Sequence, residues 1–367
     1  MMMAMRQTEL EIDFANDAAL AASVNLRRRM PPPQYLGAKY KLLPWLCAFI
    51  PDGVESVLDG FSGSQSFAYH MKKCGHTVHS NDFLAFCHTQ GIALIENKQA
   101  TLSDDDLEIL FCENNNRADT MRRFSGIFFA EQECVFLDNF RANVESLDCP
   151  HKRALALAVM CRSLTRKTTM GHFAHLQAIP YAKNPARVKR NPSIAKPIRD
   201  LFIALLPEYN AAIFDNGMDN KSHHGNILDL LPKLREANID LAYYDPPYCN
   251  SHADYQSFYH LLETFVENWG DGDKEFINRN RRYHPPRHSG FDKPSGIENS
   301  FRRLFECSDE IPHWLISYND RSLPKIDALA GMAKRHKSVR VEEKTYAASR
   351  GGRGSVSGSR EYLIVCS

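Results

Sequence analysis

The chain has no run of 18 apolar residues, so no segment reads as a membrane-spanning helix. Its start, MMMAMRQTELEIDFANDAAL, lacks a basic stretch followed by an apolar one, and no secretory signal is expected. The ten cysteines are scattered, with no two within four residues of each other. That spacing excludes a CxxC redox pair and short-spaced zinc knuckles, and makes reduced thiols in a cytoplasmic protein the expectation. No Gly-Lys-Ser/Thr follows a glycine loop and no good GxGxxG occurs, which disfavours a phosphate-bearing dinucleotide. His252, His260, His284 and His288 show no metal-ligand spacing, so no metal is expected. No internal repeat is visible.

With 367 residues, 43% of them hydrophobic, the chain is long enough for a large core and two lobes. Its net charge of +1 hides an asymmetry. Residues 101–150 hold eleven acids and four bases; residues 151–200 hold eleven bases and one acid, Asp200. A block so lopsided creates a local positive field. Alone it also reads as a solvated basic face, against which the shortage of compensating carboxylates argues.

Residues 1–33 read as an arm, with Arg27-Arg28-Arg29 and then a stiff Pro31-Pro32-Pro33 linker. "YLGAKYKLLPWLCAFIP" (35–51) reads as a glycine turn and a helix. "SVLDGFSGSQSFAYHMKKCG" (56–75) followed by "HTVHSND" (76–82) reads as strand, small-residue turn, helix and strand. Such a βαβ unit implies a parallel sheet with ligands at the strand carboxyl ends. Residues 101–219 look like a loop-rich inserted lobe, helical at 151–164. The sheet pattern returns at 239–248, 313–320, 338–346 and 361–367, with 347–360 read as a long flexible hairpin connection. Residues 270–303 read as a mobile loop or a plain surface insertion.

Two stretches carry chemistry. In the turn Asp59-Gly60-Phe61-Ser62-Gly63-Ser64-Gln65, small residues let a ligand approach the backbone at a helix N-terminus. Asp82, ending the next strand, stands where a carboxylate usually holds ribose hydroxyls. The turn suits a nucleoside-bearing cofactor; a tight turn with a structural Gly63 is the alternative. In "LAYYDPPYCN" (241–250) an apolar strand stops on Asp245-Pro246-Pro247-Tyr248. Two prolines fix two φ angles and leave carbonyls free to accept. In isolation this also reads as a strand-to-turn signal. Cys249 invites a nucleophile reading, but a tyrosine precedes it and no helper motif appears, so it reads as structural.

Together, "YLGAKYKLLPWL", "DGFSGSQS", a long insert and then DPPY resemble the D12 class of adenine-N6 DNA methyltransferases, in the same order. The resemblance implies a Rossmann-like α/β sheet, mostly parallel, with one antiparallel strand near the C-terminus. It implies a catalytic domain of 34–100 plus 220–367 and an inserted, mainly helical and loop-built target-recognition lobe of 101–219. It also implies S-adenosylmethionine as cofactor, double-stranded DNA as partner, and a restriction nuclease as functional counterpart. Catalysis falls to Asp245, Pro246, Pro247 and Tyr248. Tyr35, Gly37, Lys39, Asp59, Phe61, Gly63, Asp82 and Asp229 would contact the cofactor, Lys39 near its methionine carboxylate and Asp229 near its adenine. Arg166, Lys167, Lys183, Arg187, Lys189, Arg190, Lys196 and Arg199 would contact DNA. One departure stands out: the family's turn usually reads F-x-G-x-G, and here Gln65 replaces the second glycine. If that position needs positive φ, a side chain costs energy there, so either the turn is rearranged or its helix starts earlier. Cytosine-N4 methylation, methylation of RNA or protein glutamine, and a DNA-binding module with a decayed methyltransferase domain are the other readings.

Overall fold

The computed structural model describes residues 29–168, 171–174, 178–248, 254–268, 275–277, 282–284, 287–319, 321–349 and 355–367. The arm up to Arg28, Cys249, His252 and Pro285-Pro286 lie outside the described residues. A seven-stranded sheet organises the molecule. Its strands are β1 (Ser56–Asp59), β2 (Thr77–Asp82), β3 (Lys221–His224), β4 (Leu241–Tyr244), β7 (His313–Asn319), β8 (Val339–Ser349) and β9 (Ser355–Cys366). Glu275–Ile277 (β5) and Arg282–His284 (β6) pair separately as an antiparallel hairpin. The order across the sheet is β3-β2-β1-β4-β7-β9-β8. Neighbours from β3 to β7 are parallel, while β9 runs antiparallel to both β7 and β8. One antiparallel strand late in the chain was the expectation, and β9 fills that place.

The central strands are apolar because both their faces are covered. Val57, Val78, Leu241, Tyr243, Leu315 and Leu363 face one apolar cluster. Their alternates Leu58, Ala242, Tyr244, Trp314, Ile316 and Ile364 face a second. Between β2 and β3 the chain builds the helices Asp104–Phe111, Glu131–Val144, Pro150–Arg166 and Ile198–Ala212. Ser103 and Asp106 close a capping box at the first of these, a contribution of roughly 1 kcal/mol. Leu137, Phe140, Leu155, Val159 and Phe202 join the first cluster, so these helices share the core of one sheet face. Among the described residues no helix is long and apolar enough to cross a membrane.

Two expectations need correction, and one strand went unread. The segment 35–51 forms only a short turn of helix, Tyr40–Leu42 and then Leu43–Cys47, because Pro44 starts a new first turn. The hairpin connection of 347–360 is largely strand. The β8–β9 ladder continues to Ser349 opposite Ser355 with an irregularity between Tyr346 and Ala348, and residues 350–354 lie outside the described set. Finally, β3 is an edge strand whose sequence KSHH carries no apolar alternation to mark it.

Candidate active site

A cleft opens at the carboxyl ends of β1, β2 and β4, with about 910 Å³ of atom-free space that includes open solvent. It is lined by Tyr35, Gly37, Lys39, Asp59, Phe61, Gly63, Asp82, Asp245, Pro246, Pro247 and Tyr248, each expected from the sequence, and also by Tyr255 and Ser289. Asp229 is the exception. It is exposed on the helical turn Ile227–Leu230, whose Ile227 and Leu228 turn inward, and it does not line the cleft.

At one end the β1–helix turn is held by main-chain bonds. Asp82 Oδ2 accepts from Gly63 N–H at 2.7 Å and Oδ1 from Leu84 N–H at 2.8 Å. Burial still pushes Asp82 up to about 6, against those bonds. Gly63 has φ +44°, and a Cβ there would meet the Tyr35 ring at 2.8 Å, so the bare backbone lets Tyr35 close over the turn. Tyr35 is itself stacked on Tyr259, with centroids 4.9 Å apart, and on Tyr255. Asp59 Oδ2 accepts from Ala68 N–H at 3.1 Å, but its buried Oδ1 has no hydrogen-bond partner in the structure. Burial drives the Asp59 carboxyl well above its usual range. Asp59 lines the cleft, and a buried acid oxygen short of a well-placed donor suits a ligand that brings one.

Gln65 answers the question its sequence posed. It sits at φ 63°, ψ 15°, in the left-handed region, and the helix Ser66–Lys73 begins directly after it. The turn is not rearranged, nor does the helix start earlier. The fully buried Gln65 amide donates to Ser62 Oγ at 2.8 Å and to Cys87 O at 2.9 Å. These bonds offset the roughly 1–2 kcal/mol that a side chain costs at such a φ.

At the other end, side chains hold side chains. Lys39 Nζ lies 2.8 Å from both oxygens of Asp245, 3.4 Å from Glu361 Oε1 and 4.9 Å from the centre of the Tyr248 ring. Lys39 was expected to meet a cofactor carboxylate; here its ammonium pairs with the acid of the DPPY turn. Tyr248 Oη stands 2.9 Å from Asp245 Oδ1 and 2.8 Å from Glu361 Oε1. The Tyr248 ring packs edge-on against Tyr318. Glu361 is 1% exposed, and burial pushes it up to about 7 despite the Lys39 charge. Sequence reading missed it. Its only signal was one acid at the head of the apolar strand sequence EYLIVC.

The basic residues expected at DNA divide. Lys167 is buried, donating to Lys196 O at 2.7 Å and pairing with Glu133 at 2.9 Å, so it holds helices together and does not face solvent. Arg187 covers the Tyr181 ring and Arg199 the Phe111 ring. Arg166 is half-buried at the end of its helix. Lys183, Lys189, Arg190 and Lys196 are exposed, and none of them forms an ion pair among the described residues.

Comparison with known proteins follows this geometry. The family model for the D12 class N6 adenine-specific DNA methyltransferases matches residues 35–282. The chain is 30% identical over 318 residues to the type II methyltransferase M2.HphI of Haemophilus parahaemolyticus, covering 84% of this chain and 89% of that protein. It is 27% identical over 261 residues to the modification methylase StsI of Streptococcus sanguinis, covering 64% of this chain but 36% of that protein. With the modification methylase LlaI of Lactococcus lactis subsp. lactis it shares 24% identity over 333 residues, covering 82% of this chain and 48% of the relative.

Proposed function

The chain belongs to the D12 class of N6-adenine-specific DNA methyltransferases, and from that membership we propose that the cleft takes S-adenosylmethionine and an adenine extruded from duplex DNA. The observation that carries this reading is a single cleft lined by both the β1–helix turn with its two acids and the Asp245–Tyr248 turn. The names of the relatives, a type II methyltransferase and two modification methylases, support a modification role beside a restriction nuclease.

S-adenosylmethionine, when bound, supplies an electrophilic methyl group on a sulfonium. The residues present fit it. Asp59 Oδ1, buried and without a donor, accepts from an amine. Asp82 lines the cleft beside the turn, where its carboxylate is placed for ribose hydroxyls. Tyr35, with Gly63 beneath it, walls the cofactor in.

An exocyclic adenine amine is a poor nucleophile because its lone pair is conjugated with the ring. The Asp245 carboxylate and the Pro246 main-chain carbonyl accept from that amine and draw it toward tetrahedral geometry. They also stabilise the positive charge growing on N6. The rigid φ of Pro246 fixes where its carbonyl points. The Tyr248 ring offers the base a stacking face. Extruding the base costs a few kcal/mol, which phosphate contacts from Lys183, Lys189, Arg190 and Lys196 help to offset, with Arg166, Arg187 and Arg199 as further candidates. We assign 101–219 as the target-recognition segment on this basis.

Replacing Asp245 with Ala tests the reading. Tritium transfer to adenine-unmethylated bacterial DNA is expected to vanish, while duplex binding in a gel-shift assay persists. Retained turnover would rule out this catalytic turn. Mass analysis of the product nucleoside separates N6-methyladenine from N4-methylcytosine.

A further inference from the structure

Counting protons at the catalytic end gives a result that the motif alone does not contain. Tyr248 Oη makes two short contacts, 2.9 Å to Asp245 Oδ1 and 2.8 Å to Glu361 Oε1. A phenol has one proton and donates once. Two ionised carboxylates around it would leave one oxygen facing oxygen with no hydrogen between them. A second proton therefore belongs to the trio, and the geometry tells where. Lys39 sits against both Asp245 oxygens at 2.8 Å but against Glu361 only at 3.4 Å, so the positive charge serves Asp245 first. Glu361 is the more deeply buried acid, 1% exposed against 18% for Asp245, and burial disfavours the charged form.

We propose that Glu361 is a positioning residue of this site: as a protonated carboxyl it donates to Tyr248 Oη, which directs the tyrosine proton onto Asp245 Oδ1, so that Asp245 Oδ2, held among the described residues by Lys39 alone at 2.8 Å, keeps a lone pair to receive the substrate amine. The chain of donors runs Glu361 to Tyr248 to Asp245, with Lys39 closing the ring. It fixes the carboxylate rotamer from β9, a strand far in sequence from the DPPY turn. Among the described residues, the charged and titratable groups facing Glu361 include Lys39, Asp245, Tyr248, Tyr243 and Tyr255. Its cross-strand partners are Asn319 on β7 and Lys344 on β8, and the Lys344 ammonium lies over the Trp45 ring. Loss of the Glu361 proton, whose midpoint burial sets at about 7, frees the Tyr248 proton to turn to either acid. It also draws Lys39 between two negative charges.

This inference rests on the adenine-methyltransferase reading, and its test separates the two. Single-turnover methyl transfer to adenine-unmethylated bacterial DNA is measured across pH for the wild type, Glu361→Ala and Glu361→Gln. The glutamine amide is a permanent donor in place of the carboxyl. The alanine variant is expected to lose about 100-fold in rate, the scale of a misplaced reacting group. Glutamine is expected to restore most of that loss and to lack the fall in rate above neutral pH. Infrared difference spectra of the ligand-free protein give a second readout. Near pH 6 the wild type is expected to show one carboxylic C=O component more than Glu361→Gln, beyond those of other buried acids such as Asp59 and Asp82, and that component bleaches as the pH rises. A glutamine variant as slow as the alanine variant, an alkaline fall that survives in Glu361→Gln, or identical carboxylic bands in wild type and variant would each overturn the assignment. If the wild type transfers no methyl group to any DNA, the function reading fails, and the infrared comparison still decides the protonation of Glu361.

Discussion

The two ends of the cleft are held in opposite ways. Under β1 and β2 the acids are pinned by the main chain: Asp82 by Gly63 and Leu84, Asp59 by Ala68. Under β4, side chain holds side chain through Lys39, Asp245, Tyr248 and Glu361. In the end built on backbone N–H groups, Gln65 takes a left-handed position through its own side-chain bonds to Ser62 and Cys87. An end built as a side-chain network is coupled, so removing one member unsettles the others. On the proposed reading, the first end sets affinity for the cofactor and the second the rate of transfer.

Substitutions at each end sharpen or break this contrast. The largest effect is expected for Lys39→Met, which leaves Asp245 and Glu361 without their shared cation. Single-turnover methyl transfer should fall by about 100-fold, with little change in the calorimetric Kd for S-adenosylmethionine. A Kd raised tenfold or more would show that Lys39 serves the cofactor and that the two ends are not separate. Asp59→Asn is the mirror case: loss of the charge opposite an amine should raise that Kd by roughly 10- to 100-fold, the worth of a hydrogen bond to a charged group. The rate at saturating cofactor should fall far less. The smallest effect is expected at Gln65. Gln65→Ala keeps the left-handed strain and loses two hydrogen bonds, a destabilisation of about 2 kcal/mol. Gln65→Gly loses the same bonds but sheds the strain, so its midpoint in urea should fall less than that of the alanine variant. The reverse order would mean that the Gln65 backbone stores no strain.

Legibility in the sequence followed the same division. The first end could be read because its residues are close in the chain and its turn has a composition: small residues between a strand and a helix, then an acid. The DPPY turn was readable because two prolines after an apolar strand are rare. Glu361 was not, because nothing near it in sequence announces a partner 113 residues earlier. β3 escaped for want of apolar residues at the sheet edge. Lys167 was misjudged because charge in a sequence says nothing of burial; only the Glu133 pairing, between segments that differ in composition, shows where its ammonium goes. The length of β8 and β9 was hidden by glycines and serines that read as loop.

The seating of β4 beside β1 has a price in time. Glu55 N–H donates to an Asp240 carboxylate oxygen 185 residues further along the chain, and β1 finds this neighbour only after that length has left the ribosome. At ordinary rates of synthesis the wait is roughly ten to forty seconds. Throughout it, β1 offers one unpaired edge of apolar strand to whatever else is near, a template for wrong partners. β2 covers only the other edge of β1, so this one stays open until β4 docks and the cleft first exists.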